Sequence, residues 1–307
     1  MSDPGGIRER VLRAIALNRE PGFHFAGNFA DISFDRTEPE DTHVSVATGP
    51  HTNDRDGRVN VGVVAMLADM ALAACVRGGM DPSTRLATVS MSLQFTGVPA
   101  RGPLHAASQF EGFHGAGAAR QAQSRLVLHG EGGAVCHGHG AFMPLEPPPG
   151  FKLFPMPRGA RKVHAIDERD MTREERALLR LADATLAEGA DDFLARFWGY
   201  TNAHRTKQGA ACVLKNGMHV GNRVRHVQGG ILVGLGASTA AAALPPTWTM
   251  TGITACFVSP GLGSALRAAA KVVHHGMVTA VVRTQVLGPG RRPVLEALTT
   301  HARTVTQ

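Results

Sequence analysis

Twelve residues of the chain, RVNVGVVAMLAD at 58 to 69, return in altered form as HVQGGILVGLGA at 226 to 237. An internal repeat constrains a fold more than any single motif, because every element assigned to one copy has a counterpart in the other. Here the repeat continues. PARGPLHA at 99 to 106 matches PGLGSALR at 260 to 267, both with a P-x-x-G turn, and His114-Gly115 matches His275-Gly276. The offset is 168 in the first pair and 161 in the others, and the loop VRGGMDPSTR of the first copy absorbs the difference.

Each copy runs through the same order of elements. An amphipathic helix comes first, GIRERVLRAIAL and REERALLRLADATL, with apolar residues at helical spacing. Extended segments follow, THVSVATG and AACVLKNG, and then an apolar, alanine-rich helix over about 61 to 76 and again over about 229 to 243. Pro245-Pro246 stops the second of these. Strands close each copy: LATVSMSLQF, LHAASQFEGF and ARQAQSRLVLH against MTGITACFV, ALRAAAKVV and VTAVVRTQVL. A helix apolar on all sides must be wrapped by protein. The pattern predicts an α+β chain in which a curled antiparallel sheet surrounds a central helix, twice. PLEPPPGFKLFPMPRGARK separates the copies, which gives domains at 1–145 and 166–307 with a linker over 146–165.

At 307 residues the chain can bury two such cores. With 43% hydrophobic and 19% charged residues and no apolar run near the ~20 needed to span a bilayer, no membrane segment is expected. The N-terminus lacks a signal-peptide core, so a cytoplasmic location is expected. Cys75, Cys136, Cys212 and Cys256 lack paired spacing and are read as buried free thiols. The net charge of +7 suits an anionic ligand, but scattered Lys and Arg and 5% aromatic residues argue against nucleic acid. His137 with His139, and His274 with His275, lack the further ligands of a metal site, so no metal is expected.

Asp69 is the one charged residue between Val61 and Val76. Its helical neighbours Ala65, Met66, Leu72 and Ala73 are apolar, so a solvated surface role is disfavoured.

These motifs resemble those of the hotdog-fold acyl-CoA thioesterases, the branch that includes phenylacetyl-CoA and hydroxybenzoyl-CoA thioesterases. The family's central helix opens with H-G-G-x-x-x-x-L-A-D/E, and a P-x-x-G-x-L turn follows. Asn60-Val61-Gly62 ending in Leu67-Ala68-Asp69, and Gln228-Gly229-Gly230 ending in Leu235-Gly236-Ala237, match it in part. The first copy keeps the acid and lacks the first glycine; the second keeps both glycines and lacks the acid. In the family the site forms across paired units, acid from one and glycine N–H from the other. The resemblance therefore implies one complete site, Asp69 facing Gly229, and one dead site, Val61 facing Ala237.

On that reading Asp69 is the base or nucleophile of thioester hydrolysis, its basicity raised by desolvation, and Gly229 is the oxyanion donor. Gln228 and Asn222 are amides able to hold water or the thioester oxygen, with Asn60 and Asp54 as their first-copy counterparts. Gly230, Asn60 and Met66 are expected beside the substrate. The substrate implied is an acyl-CoA or related thioester, with coenzyme A as part of the substrate and no separate cofactor. Arg101, Arg120, Arg223 and Arg225 are candidates for its phosphates. Pairing of hotdog sheets would allow a homo-oligomer. A non-catalytic acyl-CoA binding or sensing protein is the alternative; a hotdog hydratase or dehydratase fits less well, because Asn60 and Gln228 take the places nearest its catalytic histidine.

Overall fold

The computed structural model describes residues 4–20, 22–81, 84–146, 156, 158, 163 and 166–304. Most of the 146–165 linker lies outside the described residues. The first half contains α1 (Pro4–Arg19), α2 (Phe25–Phe29), β1 (Ile32–Glu38), β2 (Asp41–Val46), α3 (Val61–Gly78), β3 (Arg85–Phe95), β4 (Leu104–His114), β5 (Gln121–Gly130) and β6 (Gly133–Leu145). The second contains α4 (Arg173–Ala187), α5 (Phe193–Phe197), β7 (His204–Thr206), β8 (Gly209–Lys215), α6 (Gly229–Ala242), β9 (Trp248–Phe257), β10 (Ala265–His275), β11 (Thr279–Leu287) and β12 (Pro293–Arg303).

Among the described residues, twelve strands form one sheet in the order β1-β2-β4-β5-β6-β3-β9-β12-β11-β10-β8-β7. Read from either end, the two halves have the same order. They join where β3 and β9 pair antiparallel, with Ser92 opposite Thr254 and Leu93 opposite Ile253. The alternation of buried and exposed residues along β5 and β11 puts one face of each half-sheet on its helix.

The helix inside each half is α3 or α6. Buried Val, Leu, Ala, Met and Cys side chains run along α3, which is long and apolar enough to cross a membrane, yet 72% of it is buried within the fold. Its apolarity is that of a core helix.

α3 and α6 also pack on each other, and glycine sets how closely. A Cβ at Gly230 would lie 2.2 Å from the Cα of Met66, and one at Gly234 would lie 2.6 Å from the Cα of Gly62. Backbone meets backbone at both points. The halves are further tied by Arg19, whose Nε and Nη2 donate to Glu175 at 2.8 and 2.7 Å.

The repeat extends further than the motifs reveal. α2 and α5 are 168 residues apart, and His51 and His219, also 168 apart, are buried against the rings of Phe29 and Phe197. One expectation is corrected: Cys75, Cys136 and Cys212 are buried, but Cys256 is exposed on β9. Next to Ala255, which is buried, alternation along the strand turns Cys256 outward.

Candidate active site

Asp69 lies on α3, two turns from its start, and only 7% of its surface is accessible. Two donors hold its carboxylate. Thr88 Oγ1 donates to Oδ1 at 2.9 Å, and Gln228 Nε2 donates to Oδ2 at 2.9 Å from the other half of the chain. Burial pushes the Asp69 carboxyl up to about 6, and these two bonds oppose the rise by favouring the ionised form.

The orientation of Gln228 follows from its position. It is the N-cap of α6, and its Oε1 accepts from the N–H of Ile231 at 3.0 Å. With the oxygen fixed by a backbone donor, Nε2 is the end that reaches Asp69. The cap of α6 and the hold on Asp69 are thus set by one side chain.

Gly229 is the first residue of α6, where a helix has N–H groups without intrahelical acceptors and the positive end of its dipole. A Cβ there would sit 2.8 Å from Asp69 Oδ2. The acid of one half and the open helix start of the other are therefore adjacent.

They share a cavity of about 590 Å³, lined among others by Met70, Ala73, Arg77, Phe34, Phe142, Leu232 and Phe257. Its walls are largely apolar. Among the described residues, no three His, Cys, Asp or Glu side chains cluster as metal ligands.

The remaining expected residues play other parts. Asn222 lines the cavity, but its Oδ1 accepts from the N–H groups of Val224 and His226, both at 3.0 Å, and so shapes the loop. Asp54 does the same in the first half, accepting from Asp56 and Arg58. Met66 and Gly230 meet at the helix crossing, outside the cavity lining. Asn60 caps α3 by accepting from Gly62 N–H at 2.9 Å, and it too lies outside the lining.

Nor do the four arginines line the cavity. Arg223 donates to the carbonyls of Gly22, Asn18 and Glu20, Arg101 donates to that of Asp56, and Arg120 stacks on Phe113. Arg225 is exposed, 3.7 Å from Glu174.

The corresponding corner of the other half has Asn60, Val61 and Ala237 in place of Gln228, Gly229 and Asp69. Buried Trp198 and Tyr200 pack beside it: a Cβ at Gly62 would lie 2.6 Å from the Tyr200 hydroxyl and 2.9 Å from the Trp198 ring. The Tyr200 hydroxyl donates to the carbonyl of Ile231 at 2.8 Å.

Sequence reasoning missed Thr88 and His24. Met91 and Leu93 point into the core, which sets odd-numbered positions of β3 inward, but a bulge between Thr88 and Ser90 changes that phase. The Thr88 hydroxyl then reaches Asp69. His24 caps α2 and lines the cavity, with nothing in its local sequence to mark it.

No known family model matches the chain, and no curated protein matches it. Solved structures do. A conserved protein of unknown function with a hot dog fold from Alicyclobacillus acidocaldarius aligns at a TM-score of 0.53 and 10% identity, over 90% of this chain and 96% of that one. A putative oleoyl thioesterase from Lactobacillus plantarum aligns at 0.53 and 9% identity, over 86% and 96%. A 12:0-ACP thioesterase from Umbellularia californica aligns at 0.50 and 11% identity, over 85% and 94%. At such identities the likeness is one of fold: the chain is a tandem hotdog protein, two units fused through one sheet.

Proposed function

We propose that the chain is a thioester hydrolase acting on an acyl-CoA or related thioester at one site between its two hotdog units. The observation that carries this reading is the meeting of a desolvated carboxylate, Asp69, with the open N-terminus of α6 inside a largely apolar cavity. The names of two of the similar structures, thioesterases both, agree with it.

Hydrolysis breaks the bond between carbonyl carbon and sulfur and gives a carboxylic acid and a thiol. With a carboxyl near 6, Asp69 is ionised at neutral pH and basic enough to take a proton from water attacking the carbonyl carbon. The carbonyl oxygen, negative in the tetrahedral intermediate, lies against the Gly229 N–H; a donor of this kind contributes about 3 kcal/mol to the transition state. The thiolate then leaves. Direct attack by Asp69, with a mixed anhydride that water opens afterwards, uses the same geometry. Label carried into Asp69 after a single turnover in ¹⁸O-water identifies an anhydride opened at the Asp69 carbonyl, and trapping with hydroxylamine detects one that water opens at the acyl carbon.

Asn60, Val61 and Ala237, with Trp198 and Tyr200 packed beside them, leave the second corner without an acid or a glycine donor, which supports one working site per chain. The test of the function is release of free thiol from a panel of acyl-CoA thioesters by the purified protein. Release above the spontaneous rate is expected; tight binding of the panel without release would instead make the protein a binder.

A further inference from the structure

From Asp69 the cavity continues along one face of α3, over Met70, Ala73 and Ala74, to Arg77. Residues 69, 73 and 77 recur every four positions and so lie above one another. Arg77 is half-buried, and burial lowers its pKa with no nearby carboxylate to offset it. Among the described residues its guanidinium has no hydrogen-bond or ion-pair partner. Cations taken out of water are normally paired.

His24 also lines the cavity, but its unsatisfied nitrogen lies behind the wall. His24 Nδ1 accepts from the N–H of Gly27 at 3.2 Å, so the ring proton sits on Nε2, which has no acceptor and is sealed from solvent. Phe34, Phe142, Ala73 and Ala74 line the cavity alongside these two groups. A plain alkyl chain would leave the Arg77 guanidinium desolvated and unmatched, which is costly.

We propose that the Arg77 end of the cavity is an anion subsite that receives a carboxylate carried by the acyl group, so that the preferred substrates are thioesters of dicarboxylic acids. This rests on the thioesterase reading above. Eight residues of helix separate Asp69 from Arg77, roughly 12 Å along the axis, and helical side chains lean back toward the N-terminus, which shortens the gap. One planar guanidinium matches one carboxylate through two parallel bonds.

The phosphates of coenzyme A are the other possible anion. They are multiply charged and well solvated. Arg85, which also lines the cavity, and Arg292, whose charges both act on His226, are two further cations near one another for them.

The test compares adipyl- and suberyl-CoA with hexanoyl- and octanoyl-CoA, each also as its N-acetylcysteamine thioester, for wild type, Arg77→Met and Arg77→Lys. Wild type is expected to favour the dicarboxylyl thioesters by about tenfold or more in kcat/KM. Arg77→Met lowers kcat/KM for the dicarboxylyl thioesters by more than for the alkyl ones and so removes that preference, and Arg77→Lys restores part of it. The pattern is the same with N-acetylcysteamine thioesters, which have no phosphate. Absence of a preference in wild type, equal loss on both acyl types, or a loss confined to the CoA thioesters would each overturn the proposal. If no thioester is hydrolysed at all, the hydrolase reading fails separately. Calorimetry with S-carboxyalkyl- and S-alkyl-CoA thioethers then decides the subsite: tighter binding of the carboxylate form, lost in Arg77→Met, upholds it, and equal binding refutes it.

Discussion

Gln228 Nε2 and Asp69 Oδ2 lie 2.9 Å apart, joining residues 159 positions apart in sequence and two separate hotdog units. This bond orients the carboxylate against the start of α6. It also tunes it, because a donor to the charged form works against the effect of burial.

Thr88 provides the second such donor, and its removal has a defined sign. Thr88→Val keeps the shape and deletes the bond to Oδ1, so the Asp69 carboxyl should rise above its value of about 6. A hydrogen bond to a charged group is worth about 1.5 kcal/mol, so the acidic limb of the kcat/KM profile should move up by roughly one pH unit. A pH–rate profile on one acyl-CoA measures this.

The same carboxylate destabilises the fold that holds it. Its folded pKa is raised from 3.8 to about 6, so the native state holds the proton more tightly than the unfolded chain. The penalty is full above pH 6 and disappears as pH falls toward 3.8. Asp69→Asn should therefore gain up to about 3 kcal/mol at pH 8 and nothing at pH 3.5, as measured by denaturant unfolding at the two pH values.

Two adjacent glycines should behave differently. Gly229→Ala keeps the N–H but puts a methyl 2.8 Å from Asp69 Oδ2, in the proposed thioester site, and is expected to cut kcat/KM about 100-fold with less than about 1 kcal/mol lost in stability. Gly230→Ala drives its methyl to 2.2 Å from Met66 Cα and should cost about 3 kcal/mol by forcing the helices apart. Thermal unfolding and steady-state kinetics on both variants separate chemistry from packing.

Buried neutral histidines act in the opposite sense to Asp69. Burial lowers His24 and His51 to about 3 and His219 to about 4, so below pH 6.5 the unfolded chain binds protons that the native chain refuses. Each histidine should remove about 2 kcal/mol of stability at pH 5, and none above pH 7. A series of melting temperatures from pH 7 to 5 should fall steeply, and His219→Phe should flatten it.

Much of this was legible in the sequence. The 168-residue repeat predicted two copies of one unit, and the split motif put the acid in one and the glycines in the other. Apolar spacing gave α1, α3, α4 and α6 near their observed limits. What could not be read depends on contacts made only in three dimensions. The bulge that turns Thr88 inward breaks the period on which strand reading relies. Asn222 and Asp54 appeared as polar positions near a motif, and only the closed loops show them accepting from their own backbones. Gly230 is expected beside the substrate, but its role is set by Met66 on another helix. Trp198 and Tyr200 lie outside both motifs, and nothing local shows that they pack against Gly62.

The central claim is that Asp69 performs the chemistry at a carboxyl pKa of about 6. The most direct measurement is kcat/KM against pH for wild type and Asp69→Asn on one acyl-CoA thioester. Wild type should rise through a single ionisation near pH 6 to a plateau, and Asp69→Asn should lie at least about 1,000-fold lower with no such rise. Turnover by Asp69→Asn near the wild-type plateau would contradict the account.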